Sequence, residues 1–149
     1  MADRTTRIQA AIVEEGQILL LQVRAARLSR AFWVIPGGGR EPGESDEACV
    51  RREVREETHL EVRVDRLLFS EGTVPGDLYL RTRTYHCIPI GGQARPGSEP
   101  ELEEDNLITI AAVRWFPLFD ESLWYPDLLK DSITAPLLRC VGRALQGAA

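Results

Sequence analysis

Residues 38–60 read GGREPGESDEACVRREVREETHL, and the rest of the chain has to fold around this stretch. Gly38-Gly39 and Pro42-Gly43 mark a loop, and Ser45 stands where a helix N-cap belongs, with Asp46 and Glu47 in the favourable first turn. Ala48, Val50 and Val54 supply apolar helical positions, and the helix is predicted to end near Thr58-His59. At about 100° per residue, Glu57 lies about 40° to one side of Glu53 and Glu56 about 60° to the other. Three carboxylates therefore share one helix face.

Like charges at i,i+4, such as Glu53 and Glu57, destabilise a bare helix by a few tenths of a kcal/mol, so something should offset them. A solvated acidic face with Arg51, Arg52 and Arg55 supplying surface ion pairs is one solution. A divalent cation is the other: hard ions such as Mg²⁺ take carboxylate and carbonyl oxygens and often share their sites with substrate phosphates. The glycine loop before the helix lets backbone atoms approach a ligand closely, and a helix N-terminus favours anions. Gly38, Glu44, Arg52, Glu53, Glu56 and Glu57 stand at fixed spacing: Gly38, five residues, Glu44, seven residues, Arg52-Glu53, then Glu56-Glu57. Six such residues at roughly 0.1 frequency each coincide about once in 10⁶ windows. That rarity favours the cation.

Working outward, Arg7–Val13 alternates Ile8, Ala10 and Ile12 with more polar neighbours, as a half-buried strand does. Glu14–Gln17 reads as a turn, Ile18–Val23 as the partner strand, and Phe32–Ile35 as a short strand that Pro36 stops. After the helix, Leu60–Phe69 and Leu78–Ile90 are predicted strands flanking the turn signal Pro75-Gly76-Asp77. A Gly-, Pro- and acid-rich loop over Gly91–Asn106 leads to a strand over Leu107–Phe116 and a C-terminal helix over Ala135–Gln146. This order predicts a single α/β (α+β) domain over 1–149, a three-layer α/β/α sandwich around a mixed sheet.

Composition bounds the function. The chain has 149 residues with 44% hydrophobic and 28% charged side chains, a globular balance. Its net charge of −5 argues against a grip on duplex nucleic acid, whose affinity rests on phosphate neutralisation. Lys130 is the one lysine; the other basic residues are arginine, suited to bidentate phosphate or carboxylate contacts. No apolar run is long enough to span a bilayer or form a signal core, so a cytoplasmic protein without a membrane partner is expected. Cys49, Cys87 and Cys140 form neither a disulfide framework nor a zinc pattern, and His86 is read as structural.

Gly38–Leu60 resembles the Nudix box, GX₅EX₇REUXEEXGU with U aliphatic, and departs from it only at His59, where the family has Gly. Trp33-Val34-Ile35-Pro36-Gly37-Gly38 is similar to the family's approach to the box. His tolerates positive φ better than most residues, so a modest conformational cost and an intact metal site are expected. The resemblance implies metal-dependent hydrolysis of a nucleoside diphosphate linked to a further group. The candidates are ADP-ribose-like compounds, dinucleoside polyphosphates and nucleoside triphosphates. The alternative is a nucleotide-sensing or protein-binding domain on the same fold.

Residue by residue, the resemblance implies that Glu53, Glu56 and Glu57 hold Mg²⁺ or Mn²⁺, with the carbonyl of Gly37 or Gly38 as an added ligand. Arg52 would orient the glutamates and Glu44 would support the loop–helix junction. The general base would be Glu53 or an acid of the distal loop, with Glu103 and Glu104 favoured. Substrate contacts are expected from Gly38 and Gly39, from Arg30 at the phosphates, and from Trp33 or Tyr79 stacking on a base. Pro75 sits at a spacing that accompanies ADP-ribose hydrolysis in relatives, though its turn explains it equally well. Trp124-Tyr125-Pro126 is read either as packing on the sheet or as a homodimer contact.

Overall fold

A computed structural model of the chain describes residues 5–25, 30–72, 79–98 and 108–147. Strands β1 (Thr6–Glu14) and β2 (Gln17–Ala25) form a hairpin whose turn places Glu15 and Gly16 at φ 52° and 75°. Those two positive values are what a tight two-residue hairpin requires. β3 (Arg30–Val34) pairs antiparallel with β2 on one side, and β7 (Ile108–Pro117) pairs antiparallel with it on the other. β5 (Leu60–Gly72) and β6 (Arg81–Gly92) form a long antiparallel ribbon with three register shifts.

β1 joins the two halves. Thr6–Ile12 runs parallel to β6, while Val13 and Glu14 pair with β2. The described residues thus form a seven-stranded mixed sheet. Pro36 stops β3 as expected, but the chain then re-enters the sheet: Gly37-Gly38, β4, pairs antiparallel with Gln9 and Ile8 of β1. This pairing seats the glycine loop directly on the sheet.

Alternation along β1 builds two cores. Ile8, Ala10 and Ile12 face helix α1 (Asp46–Thr58) and pack with its Cys49, Val50 and Val54, together with Leu60, Val62 and Cys87. Ala11 and Val13 face the other way, into a cluster with Trp33, Phe116, Leu128, Leu138 and Val141. Leu128 lies on the short helix α2 (Pro126–Leu129) and the last two on α3 (Thr134–Gln146). The result is the expected α/β/α layering, with α1 on one face and the C-terminal helices on the other. Among the described residues, no helix is long and apolar enough to cross a membrane.

Candidate active site

Helix α1 starts as its sequence requires. Ser45 Oγ accepts the Ala48 amide at 3.1 Å, and Asp46 and Glu47 occupy the first turn. It stops at His59, which holds a left-handed conformation (φ 63°, ψ 12°) while its amide donates to the Arg55 carbonyl. The motif's departure from Gly therefore keeps the backbone that Gly would favour. Beyond the helix, the amides of Arg95, Gly97 and Ser98 donate to the carbonyls of Thr58, Glu57 and Glu56 at 3.0, 2.9 and 2.8 Å. The strand-to-loop segment is thus strapped across the last turn of α1.

Arg52 organises the acidic face. Its Nε and Nη2 grip the Glu44 carboxylate at 2.7 and 2.9 Å, Nη1 reaches Glu53 Oε1 at 3.0 Å and Glu56 at 3.3 Å, and Nη2 donates to the Gly39 carbonyl at 3.1 Å. The hydrogen bond from Arg52 holds the Glu44 carboxyl below its ordinary value and in turn raises Arg52 further. Glu44 also accepts the Glu41 amide at 2.9 Å, tying the loop to the helix. Glu57, only 2% exposed, accepts the Gly37 amide at 2.9 Å, and Glu53 is 7% exposed. Two buried carboxylates on one helix face are expensive unless charge compensates them, and Arg52 supplies one positive charge toward that.

The glycine loop lies against these carboxylates. A Cβ on Gly38 would overlap the Glu53 carboxylate, and one on Gly37 would come within 2.6 Å of the Ile8 carbonyl and 2.8 Å of Gln9 Cα. Both positions need a residue without a side chain, one for a functional group and the other for the sheet. Cys49, buried below the loop, is pushed up to about 12 by burial and by the nearby Glu53 and Glu44, so it is an inert thiol.

Among the described residues, no three His, Cys, Asp or Glu side chains already converge on one point that could hold a metal. Arg52 engages Glu53 and Glu56, and the Gly37 amide engages Glu57. The donor set nevertheless suits a hard divalent cation: carboxylate oxygens on one helix face, facing a glycine backbone.

Other expected site residues are placed differently. Trp33 is a correction: it is 3% exposed, its indole N–H donates to Asp127 at 3.2 Å, and its ring meets Phe116 and Tyr125 edge-on. It has no open face for a base. Tyr79, 6% exposed, belongs to the interior as well and does not offer a stacking surface. Arg30 begins β3 with its guanidinium 4.6 Å above the Phe32 ring and is not brought to the glutamates. Arg83 bonds Asp46 at 2.9 Å. Trp124 resolves to packing, 4% exposed with its N–H on the Pro117 carbonyl at 2.7 Å. Glu103, Glu104 and Pro75 lie outside the described residues.

Sequence reasoning missed the Asp46 cluster, in which Arg40, Arg83 and Tyr85 all donate to one carboxylate. Only strand register could have signalled it.

The profile of the Nudix domain matches residues 4–133. The chain belongs to the Nudix family of hydrolases. Members of the family act on nucleoside diphosphate derivatives and generally use divalent metal ions. A MutT-like protein of Streptomyces ambofaciens is 31% identical over 116 residues, covering 72% of this chain and 71% of that protein. The NAD-capped RNA hydrolase NudC of Stutzerimonas stutzeri is 36% identical over 106 residues, covering 70% of this chain but only 34% of that protein. A crystal structure of UDP-X diphosphatase superposes with a TM-score of 0.71 at 24% identity, covering all of this chain and 66% of that one; at this identity the likeness concerns the fold.

Proposed function

We propose that this Nudix protein hydrolyses a diphosphate linkage in a nucleoside diphosphate derivative, with Mg²⁺ or Mn²⁺ held by Glu53, Glu56, Glu57 and a carbonyl of Gly37 or Gly38. The observation that carries the reading is the buried pair Glu53, braced by Arg52, and Glu57, which accepts the Gly37 amide, pressed against a glycine loop in which a Cβ at Gly38 would meet the Glu53 carboxylate. Divalent ions at such a site neutralise phosphate charge and lower the pKa of bound water.

The protein's own groups supply the rest. Arg52, anchored on Glu44, fixes the rotamers of Glu53 and Glu56. The Gly37–Gly39 backbone lets a diphosphate approach, and Arg30 at the start of β3 is the proposed side-chain contact to the phosphates. Glu53, or Glu103 or Glu104 beyond the strap on α1, serves as the base that takes the proton of the attacking water. The Arg95–Ser98 strap supports the loop assignment, because it anchors the chain leading to those acids on the carbonyls of Glu56 and Glu57. ADP-ribose-like compounds, dinucleoside polyphosphates and nucleoside triphosphates are the substrate classes.

The test is product release from a panel of these nucleotides with Mg²⁺, with Mn²⁺ and with chelator. Cleavage of one class is expected, absent with chelator and at least about a hundredfold lower in Glu57→Gln. Equal turnover by Glu57→Gln would remove the assigned site.

A further inference from the structure

Asp46 falls at a variable position of the motif, yet its carboxylate joins three segments of the chain. Oδ1 accepts Arg40 Nη1 from the glycine loop at 3.0 Å. Oδ2 accepts Arg83 Nη1 at 2.9 Å and the Tyr85 hydroxyl at 2.6 Å, both from β6. Arg83 and Tyr85 alternate on one face of β6 with Cys87, which packs in the α1 core beside Cys49 and Val50. The cluster is therefore rooted in the sheet. A first-turn acid that only complemented the helix dipole would need none of these partners.

The loop explains why such a root matters. Its outer part, Glu41–Gly43, runs at the surface, with Pro42 and Gly43 exposed. Its inner part must be placed closely, because Gly37 donates to Glu57, Gly38 abuts the Glu53 carboxylate and Gly39 accepts from Arg52. Arg40 follows directly on those glycines. A continuous chain of contacts then runs from β6 through Asp46 and Arg40 to Gly39 and Arg52.

We propose that Asp46 is a positioning residue for the hydrolysis, clamping the glycine loop to β6 so that Gly37–Gly39 stays against Glu53 and Glu57. It acts through the loop and not on substrate or metal directly, and the inference rests on the hydrolase reading above. Residues that orient a metal site from one contact away typically change affinity or activity by about 10- to 100-fold. The lower end applies here, because Glu44 holds the same loop independently.

The experiment compares the full chain with Asp46→Ala, Asp46→Asn, Tyr85→Phe and, as the helix-dipole control, Glu47→Ala. Three quantities are read at a temperature where each is folded: kcat and KM on whichever nucleotide the panel identifies, the Kd for Mn²⁺ alone by calorimetry, and the exchange rate of the Gly37 amide by NMR. Asp46→Ala is expected to lower kcat, weaken Mn²⁺ binding and speed Gly37 exchange, each about tenfold, with KM changing less. Asp46→Asn and Tyr85→Phe should fall between it and the wild type, and they decide the matter if Asp46→Ala does not fold. Glu47→Ala should stay within about twofold in all three. Unchanged Gly37 exchange and Mn²⁺ affinity in the Asp46 variants would overturn the clamp, as would an equal loss in Glu47→Ala. A wild type that binds no Mn²⁺ and cleaves no nucleotide would defeat the hydrolase reading, and Gly37 exchange would still judge the clamp.

Discussion

His59 keeps φ at 63°, where a side chain of ordinary handedness crowds its own carbonyl. Replacing it with Gly removes that cost, roughly 1–2 kcal/mol, but returns part of it as unfolded-state freedom, roughly 0.5–1 kcal/mol. His59→Gly should therefore raise the stability measured by urea unfolding by about 0.5–1 kcal/mol and leave the metal requirement intact; a new metal dependence would show that the imidazole itself takes part. Gly37 and Gly38 separate fold from function in the same way. A methyl group at Gly37 meets the backbone of β1, which cannot yield, whereas at Gly38 it meets the end of the Glu53 side chain, which can. Gly37→Ala should cost about 1–3 kcal/mol of stability. Gly38→Ala should unfold near the wild-type midpoint yet lose about tenfold or more in Mn²⁺ affinity, because Glu53 is displaced. Parallel losses of stability in both would contradict this division. The glutamates and His59 were legible in the sequence because helical spacing and a single backbone angle define them. Trp33 was not: its letter next to the glycine loop is the same whether the ring faces a ligand or the core, and Asp127, 94 positions away, decides.

At the scale of elements, α1 is fixed at both ends by groups distant in sequence, and these ties carry the expected pH response. Burial alone would raise the Asp46 carboxyl, but the Tyr85 hydroxyl and the Arg83 guanidinium outweigh it and hold it below its ordinary value. Burial, and then Asp46, push the Tyr85 hydroxyl up to about 12. The Asp46 contribution is thus present above its unfolded value and lost as pH falls through the lower folded one. The Tyr85 contribution is present below about 10 and lost as pH rises toward about 12. Titrating phenolate absorbance in wild type and Tyr85→Phe should show one late-ionising tyrosine missing from the variant. A difference spectrum centred near 10 would mean that the Asp46–Tyr85 bond does not hold in solution. The strands β1, β2 and β5–β7 and the helix α1 were readable because alternation, turn residues and caps are local signals. β4 and the Arg95–Ser98 strap were not, since Gly and Pro read as loop until a partner strand or a helix end supplies the missing hydrogen bonds.

For the molecule as a whole, the sheet separates two cores: α1 and the carboxylates on one face, α2 and α3 on the other. Leu138, fully buried in the second core, can be truncated without touching the site. Leu138→Ala should lose about 2–5 kcal/mol of stability, the usual cost of a cavity in a packed interior. Binding to the folded state alone adds RT ln(1 + [L]/Kd), about 2.7 kcal/mol when Mn²⁺ stands at a hundred times its Kd. If the faces are independent, that increment should be the same in wild type and Leu138→Ala, because distant sites without shared partners add. It should vanish in Glu57→Gln, whose carboxylate is one of the proposed donors. Chemical denaturation of the three proteins with and without Mn²⁺ reads this directly. A smaller increment in Leu138→Ala would mean that the C-terminal helices help to shape the carboxylate face through β1, the strand whose alternate side chains enter both cores. An equal increment would confine the site to α1, the glycine loop and β6, the elements that Arg52 and Asp46 join.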